Sequence, residues 1–181
     1  MAKRHWLVKS DPETFGIDHL AKSPGRTTRW DGVRNYQARN LLRDEIRVGD
    51  EVLFYHSQAK PPAVVGTARV VRAGYPDPTQ FDRRSKGHDP GSDPGDPRWY
   101  AVDIRLERRF DRPVTLPDIK DEPGLRDMVL LQRSRLSVQP VRPEEWKLIL
   151  RAGARAGNGR RERRRLTSSA PSGKQRSREV R

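Results

Sequence analysis

Tyr100, Val102, Ile104 and Leu106 alternate with Asp103, Arg105 and Glu107, the clearest periodic pattern in the chain. A period of two puts one set of side chains on each face of a strand, so this segment is half-buried and pairs antiparallel with a neighbour. Glu51 to Ser57 alternates in the same way, with Val52, Phe54 and His56 on one face and Leu53, Tyr55 and Ser57 on the other. Residues 63–71 form a more continuously apolar strand, Trp6 to Ser10 a first strand and Leu136 to Pro140 a last one, with Val114 to Leu116 as a strand end. Helices are fewer. Asp11 reads as an N-cap with Pro12 in the first helical position and Glu13 favourably placed toward the helix dipole, opening a short helix to about Leu20. Asn35 to Ile46 reads as a helix burying Tyr36, Leu41, Leu42 and Ile46; residues 125–131 make a short one, and residues 143–150 a closing one anchored by Trp146, Ile149 and Leu150. Residues 21–29 read as a loop, and residues 75–98, with five prolines and three glycines, as a long mobile one. Strands without regular βαβ alternation predict an α+β domain built on a curved sheet or small β-barrel with flanking helices.

Not all of the chain belongs to that core. Of 181 residues, 33% are apolar and 34% charged. Residues 153–181 have no periodic apolar pattern and are expected to form a disordered basic tail. Residues 151–181 hold 11 Lys and Arg against 2 Asp and Glu, so +9 of the net +14 is carried there. Such charge would neutralise phosphates in a salt-dependent, sequence-blind way, adding affinity but not selectivity, or would serve solubility or nuclear address. The chain has no cysteine, and none of its four histidines is paired at a helical i, i+4 spacing, so no metal site or cofactor is expected. No apolar run approaches a membrane span or signal core. The expectation is a monomeric intracellular protein: cytoplasmic if bacterial, as 30 arginines against 8 lysines hint, and nuclear if eukaryotic.

The residues Trp30 to Asn40 supply the chemistry. Arg and Asn offer bidentate hydrogen bonds to base edges, an aromatic face stacks on any base, and Gly32 permits close backbone approach. Nothing there is a nucleophile. The same run would also serve as a plain helix entry with a core anchor. Its company along the chain is His5 to Glu13 (HWLVKSDPE), Phe54 to Ser57 (FYHS) and Arg135 to Pro140 (RLSVQP). In order and spacing these four motifs resemble the EVE domain family, its thymocyte nuclear protein-like members included, over residues 5 to about 152.

That resemblance implies a PUA-like fold, similar also to YTH domains, and an aromatic-lined pocket for a modified base in DNA or RNA. Trp30 looks like the pocket tryptophan. Lys9 and Ser10 end the first strand as donors to a base or phosphate, or as a solvated lysine and a helix-cap serine. Gly32, Val33 and Asn35 follow Trp30 as backbone and edge contacts; Tyr55, His56 and Ser57 end a strand, where His56 is as readily a satisfied core histidine. Ser137 is a further base contact, and Arg34, Arg39 and Arg135 are candidate phosphate ligands, with a surface salt bridge the alternative for Arg34. Trp6 and Trp146 fit the core, Tyr36 packs its helix or else lines the pocket, and Trp99 either closes over a ligand or starts a strand. The expected function is recognition of a 5-methylcytosine-type or other methylated base without turnover. The alternatives are a PUA-like RNA binder indifferent to modification, or an enzyme using Lys9, His56 or Asp31 as general acid or base.

Overall fold

The structure, a computed structural model, describes residues 2–154, so nearly all of the expected basic tail lies outside the described residues. In chain order the elements are β1 (His5–Ser10), α1 (Pro12–Phe15), α2 (Ile17–Lys22), β2 (Thr27–Trp30), α3 (Tyr36–Asn40), β3 (Glu51–His56), β4 (Ala63–Pro76), β5 (Tyr100–Thr115), α4 (Leu116–Asp121), α5 (Val129–Gln132), β6 (Val138–Val141) and α6 (Pro143–Ala154). The six strands form one sheet in the order β2-β5-β4-β3-β1-β6. β1 and β3 run parallel and every other pair is antiparallel. β2 and β6 stay unpaired with each other, so the sheet curves without closing.

Alternation sorts the strands onto two cores. Trp6, Val8, Val52, Phe54, Val102, Ile104 and Leu106 pack on one face, with Ile17, Leu20, Ala38 and Leu42 from the short helices. Leu7, Leu53 and Tyr55 pack on the other, with Trp146 and Ile149 of α6. β4 and β5 change faces along their length: Phe110 and Val114 belong to the second core although they share parity with Leu106. The pairing shifts between Thr67 and Ala68 and again between Val64 and Gly66, and each bulge offsets the alternation and bends the hairpin. At Gly66 a Cβ would lie 2.3 Å from the Arg108 carbonyl, so only glycine fits the bend.

Several sequence expectations change. The loop expected at residues 21–29 holds most of β2, one of the two edge strands of the sheet; four residues, Thr-Thr-Arg-Trp, are too few and too polar to display alternation. The first helix is two, broken where Gly16 is extended and starts α2. The helix from Asn35 continues past α3 as a wider π turn, Leu41–Glu45. Tyr36 does not pack inside: the residue is 55% exposed, with its ring 5.0 Å from that of Trp99.

Residues 75–98 depart furthest from expectation. β4 runs on to Pro76, and the segment beyond it is a cross-linked loop in place of a mobile one. Gln80 is fully buried; its amide nitrogen donates to the carbonyls of Asp77 (2.7 Å) and Trp99 (2.9 Å), and its oxygen accepts from Ser92 Oγ (2.6 Å) and Trp99 N (3.0 Å). Asp89 accepts from Trp99 Nε1 at 2.7 Å and Arg98 Nη1 at 2.9 Å. Prolines and glycines deny this segment a ladder, and its polar side chains satisfy the backbone instead. Trp99 is accordingly buried and held, not free to close over a ligand.

Candidate nucleic-acid interface

A cavity of about 560 Å³ opens where the ends of β1 and β2 meet α1 and the turn at residues 31–34. The volume falls within the range of small-ligand pockets. Its apolar wall is Trp30 with Phe15. Their rings meet edge-to-face at 6.5 Å, and Trp30 meets Phe54 likewise at 5.5 Å. Trp30 is only 8% exposed, so it is a core residue that presents a limited surface to the cavity. β2 puts it there through pairing with Val102.

The polar lining comes from three directions. From β1, Lys9 Nζ donates to the Ser134 carbonyl at 2.6 Å and Ser10 Oγ to the Phe15 carbonyl at 2.5 Å. Burial pushes the Lys9 ammonium below its ordinary value. Ser137 sits across from Lys9, whose amide donates to the Ser137 carbonyl at 3.0 Å. From β2, Arg29 Nε binds Asp31 Oδ2 at 2.8 Å, and Thr28 joins the rim. From α1, Asp11 and Thr14 contribute, Asp11 also capping the helix through the Glu13 amide at 3.0 Å.

The turn after Trp30 is fixed from behind. Gly32 has φ of 74°, a left-handed conformation that favours glycine, and its amide donates to Asp77 Oδ2 at 2.9 Å. Arg34 spends its guanidinium inside the protein, on Asp77 Oδ2 (2.9 Å), Thr79 Oγ1 (3.0 Å) and the carbonyls of Gly87 (2.6 Å) and Val33 (3.1 Å). Burial alone would raise the pKa of Asp77, yet the hydrogen bonds from Thr79, Gly32 and Arg34 outweigh it and hold the carboxyl below its usual range.

The cavity thus gathers Lys9, Ser10, Trp30, Gly32, Val33, Arg34 and Ser137 from the sequence expectation, with Arg34 engaged as a latch where a phosphate ligand was expected. The others lie elsewhere. Asn35 caps α3, its Oδ1 accepting from the Ala38 amide at 2.9 Å. Tyr55 points into the opposite core because odd positions of β3 face away from the cavity. His56 Nε2 accepts from the Ile17 amide at 3.1 Å, and burial lowers its pKa, so it is a satisfied histidine joining β3 to α2. Ser57 Oγ lies 3.3 Å from the Ser10 carbonyl. Arg39 Nη1 binds the Arg98 carbonyl at 2.8 Å beneath the ring of Tyr36. Arg135 is exposed on the turn before Ser137, outside the cavity lining. Sequence reasoning missed Phe15 as a wall and Asp11, Thr14, Thr28 and Arg29 as lining residues. Phe15, next to an N-cap signal and a Gly, was legible as an aromatic ending a short helix; Asp77 carried no local sign beyond a turn-forming Asp-Pro.

An unclosed, curved, mixed sheet with flanking helices makes this an α+β domain of the PUA-like class. The chain belongs to the EVE domain family, whose family model matches residues 4–152. Thymocyte nuclear protein 1 of Homo sapiens is 40% identical over 163 residues, covering 81% of this chain and 72% of that protein. Its Danio rerio counterpart is 42% identical over 162 residues, covering 80% and 70%. Among solved structures, human THYN1 protein in complex with 5-methylcytosine-containing DNA superposes with a TM-score of 0.81 at 38% identity, covering 86% of this chain and 100% of that one. A hypothetical protein from Leishmania major superposes at 0.80 with 45% identity, covering 84% and 95%.

Proposed function

We propose that this protein is a non-catalytic reader of a modified base in nucleic acid, of the 5-methylcytosine type, held in the Trp30 cavity. One observation carries the reading: a base-sized cavity, walled by Trp30 and Phe15 and rimmed by hydroxyls, an ammonium and carboxylates, in a chain similar to a protein solved with 5-methylcytosine-containing DNA. An extruded base needs an apolar wall for its face and hydrogen-bonding partners for its edge. Trp30 and Phe15 provide the wall; Lys9, Thr28 and Ser137 offer donors, and Asp11, Asp31 and the Ser10 hydroxyl oxygen offer acceptors. A methyl group alone is worth about 1 to 3 kcal/mol in an apolar pocket, so shape and edge contacts together set selectivity. Arg135, exposed on the turn two residues before Ser137, is the remaining phosphate ligand of the three expected.

A binding role without turnover is supported by how these groups are engaged: Lys9 Nζ and Ser10 Oγ donate to backbone carbonyls, and His56 accepts from the Ile17 amide. No helix among the described residues is long and apolar enough to cross a membrane. With nuclear proteins among its relatives, we assign it to the nucleus in a eukaryote and the cytoplasm in a bacterium. The domain is assigned to residues 1–152, with the basic remainder adding salt-dependent affinity.

Fluorescence anisotropy of the full chain at near-physiological salt tests the reading, with matched DNA and RNA probes carrying cytosine, 5-methylcytosine, adenine or N6-methyladenine. Tighter binding of one modified probe is expected. Equal affinity for all would replace the reading with a PUA-like binder indifferent to modification.

A further inference from the structure

We propose that Asp77 is a positioning residue for base selectivity, acting from a loop whose carboxylate does not line the cavity; this rests on the base-reader reading above. The carboxylate is fully buried and accepts from four donors: the amides of Gly32 (2.9 Å) and Thr79 (2.8 Å), Thr79 Oγ1 (2.6 Å) and Arg34 Nη1 (2.9 Å). Two of those donors lie in the turn that follows Trp30 and forms one side of the cavity.

A buried carboxylate is costly unless its lone pairs are filled, and here every donor is supplied by either the turn or the loop. The two segments are therefore coupled through one charge. If the turn shifts, Asp77 loses partners; if Asp77 shifts, Gly32 loses the acceptor that pins its left-handed backbone. The Arg34 guanidinium carbon also lies 5.4 Å from the centroid of the Trp99 ring, which is itself tied to the loop through Asp89. Thus the loop at residues 77–99 acts as a template holding the cavity wall.

The same dipeptide elsewhere shows how specific this is. Asp11-Pro12 and Asp77-Pro78 both cap a helical turn, each accepting the amide two residues on. Asp11 stops at that local bond and remains partly exposed, whereas the second oxygen of Asp77 reaches 45 residues back along the chain to Gly32. A turn former needs only the first contact.

Asp77→Asn keeps the shape but removes the charge and turns one acceptor into a donor facing donors. The test compares full-length wild type, Asp77→Asn, Arg34→Lys and Ile149→Ala. Each is assayed for affinity with matched methylated and unmodified oligonucleotides, hydrogen exchange of the Gly32 amide, and thermal unfolding. Asp77→Asn is expected to lose Gly32 protection and to lower the methylated-to-unmodified affinity ratio about tenfold, the scale of one charge-assisted hydrogen bond. Arg34→Lys, which keeps the charge but not the fork, should lower the ratio by less, and it decides the matter if Asp77→Asn does not fold. Ile149→Ala, destabilised from the opposite core, should keep the wild-type ratio. A wild-type ratio in Asp77→Asn, or in Arg34→Lys should Asp77→Asn not fold, overturns the positioning role alone. An equal fall in Ile149→Ala overturns it too, since the ratio would then follow stability. No methylated-base preference in wild type overturns the reader itself.

Discussion

One face of the sheet is covered chiefly by a helix of 12 residues, α6, with Ile119 of α4 and Leu130 of α5 packed in the same core; the other is covered by α1, α2 and α3, of 4, 6 and 5 residues. A helix of α6's length presents a continuous apolar stripe, and Trp146 and Ile149 press it onto Leu7, Leu53 and Tyr55. Helices of one turn have no stability of their own and stay in place through caps and tertiary links. Here these are the Asp11 and Asn35 caps, the His56 bond to Ile17 and the Asp77 network. The discontinuous cover leaves a gap of about 560 Å³, against grooves of about 220 Å³ beside Leu148 and Ala152 and about 320 Å³ beside Pro143 and Glu145. In the proposed reading the base sits where the cover is discontinuous, away from the longest helix.

The largest effect expected from this division is on folding. Ile149→Ala removes a fully buried side chain beneath α6 and should cost about 2 to 5 kcal/mol of stability in denaturant unfolding, while base preference stays at the wild-type value. A parallel loss of preference would break the division. Trp30→Phe is the converse. It keeps an aromatic in the core but shortens the wall, and since stacking on one base is worth about 1 to 3 kcal/mol it should weaken binding of the methylated probe about fivefold. Unfolding should change less than in Ile149→Ala; unchanged anisotropy titrations would remove Trp30 from the wall.

Acid separates the faces more gently. Burial lowers the pKa of His56, beside α2, and of His5, which stacks on Trp146 at 4.6 Å; nearby Glu51 and Asp50 only partly oppose the shift at His5. Because both folded values lie below the unfolded one of about 6.5, the unfolded chain takes up the protons first. Their contribution is complete above that pH and is lost as pH falls through the folded values. Thermal unfolding between pH 7 and pH 5 should show the loss. His56→Gln and His5→Gln should each flatten it, and only the first should also change the acid sensitivity of probe binding. The smallest effect is expected at Asn35→Ser: if the side chain is solely a helix cap, serine replaces it within a few tenths of a kcal/mol and leaves affinity unaltered. A marked fall in affinity would return Asn35 to the site.

Where local pattern carried the information, the sequence was legible. The alternations at Val52–Phe54 and Val102–Leu106 placed those strands and their inward faces, and Asp11-Pro12-Glu13 marked a helix start. The cavity was legible in part: Trp30, Lys9, Ser10, Gly32, Val33 and Ser137 come together from three distant segments. Tyr55 and His56 were grouped with them as a strand end, but adjacent residues of a strand face opposite ways, and His56 had a partner in Ile17 that no local pattern announces.

By itself, then, the sequence determined which segments alternate, where helices are capped and which polar and aromatic groups are available to a ligand, because those properties depend on neighbours a few residues away. Tertiary structure alone decided that Arg34 is a latch, that Asp77 is more than a turn former and that the proline-rich loop is a scaffold. Each of those roles rests on a hydrogen bond between groups more than forty residues apart, and the partner of such a bond is chosen by the folded sheet, not by the local chain.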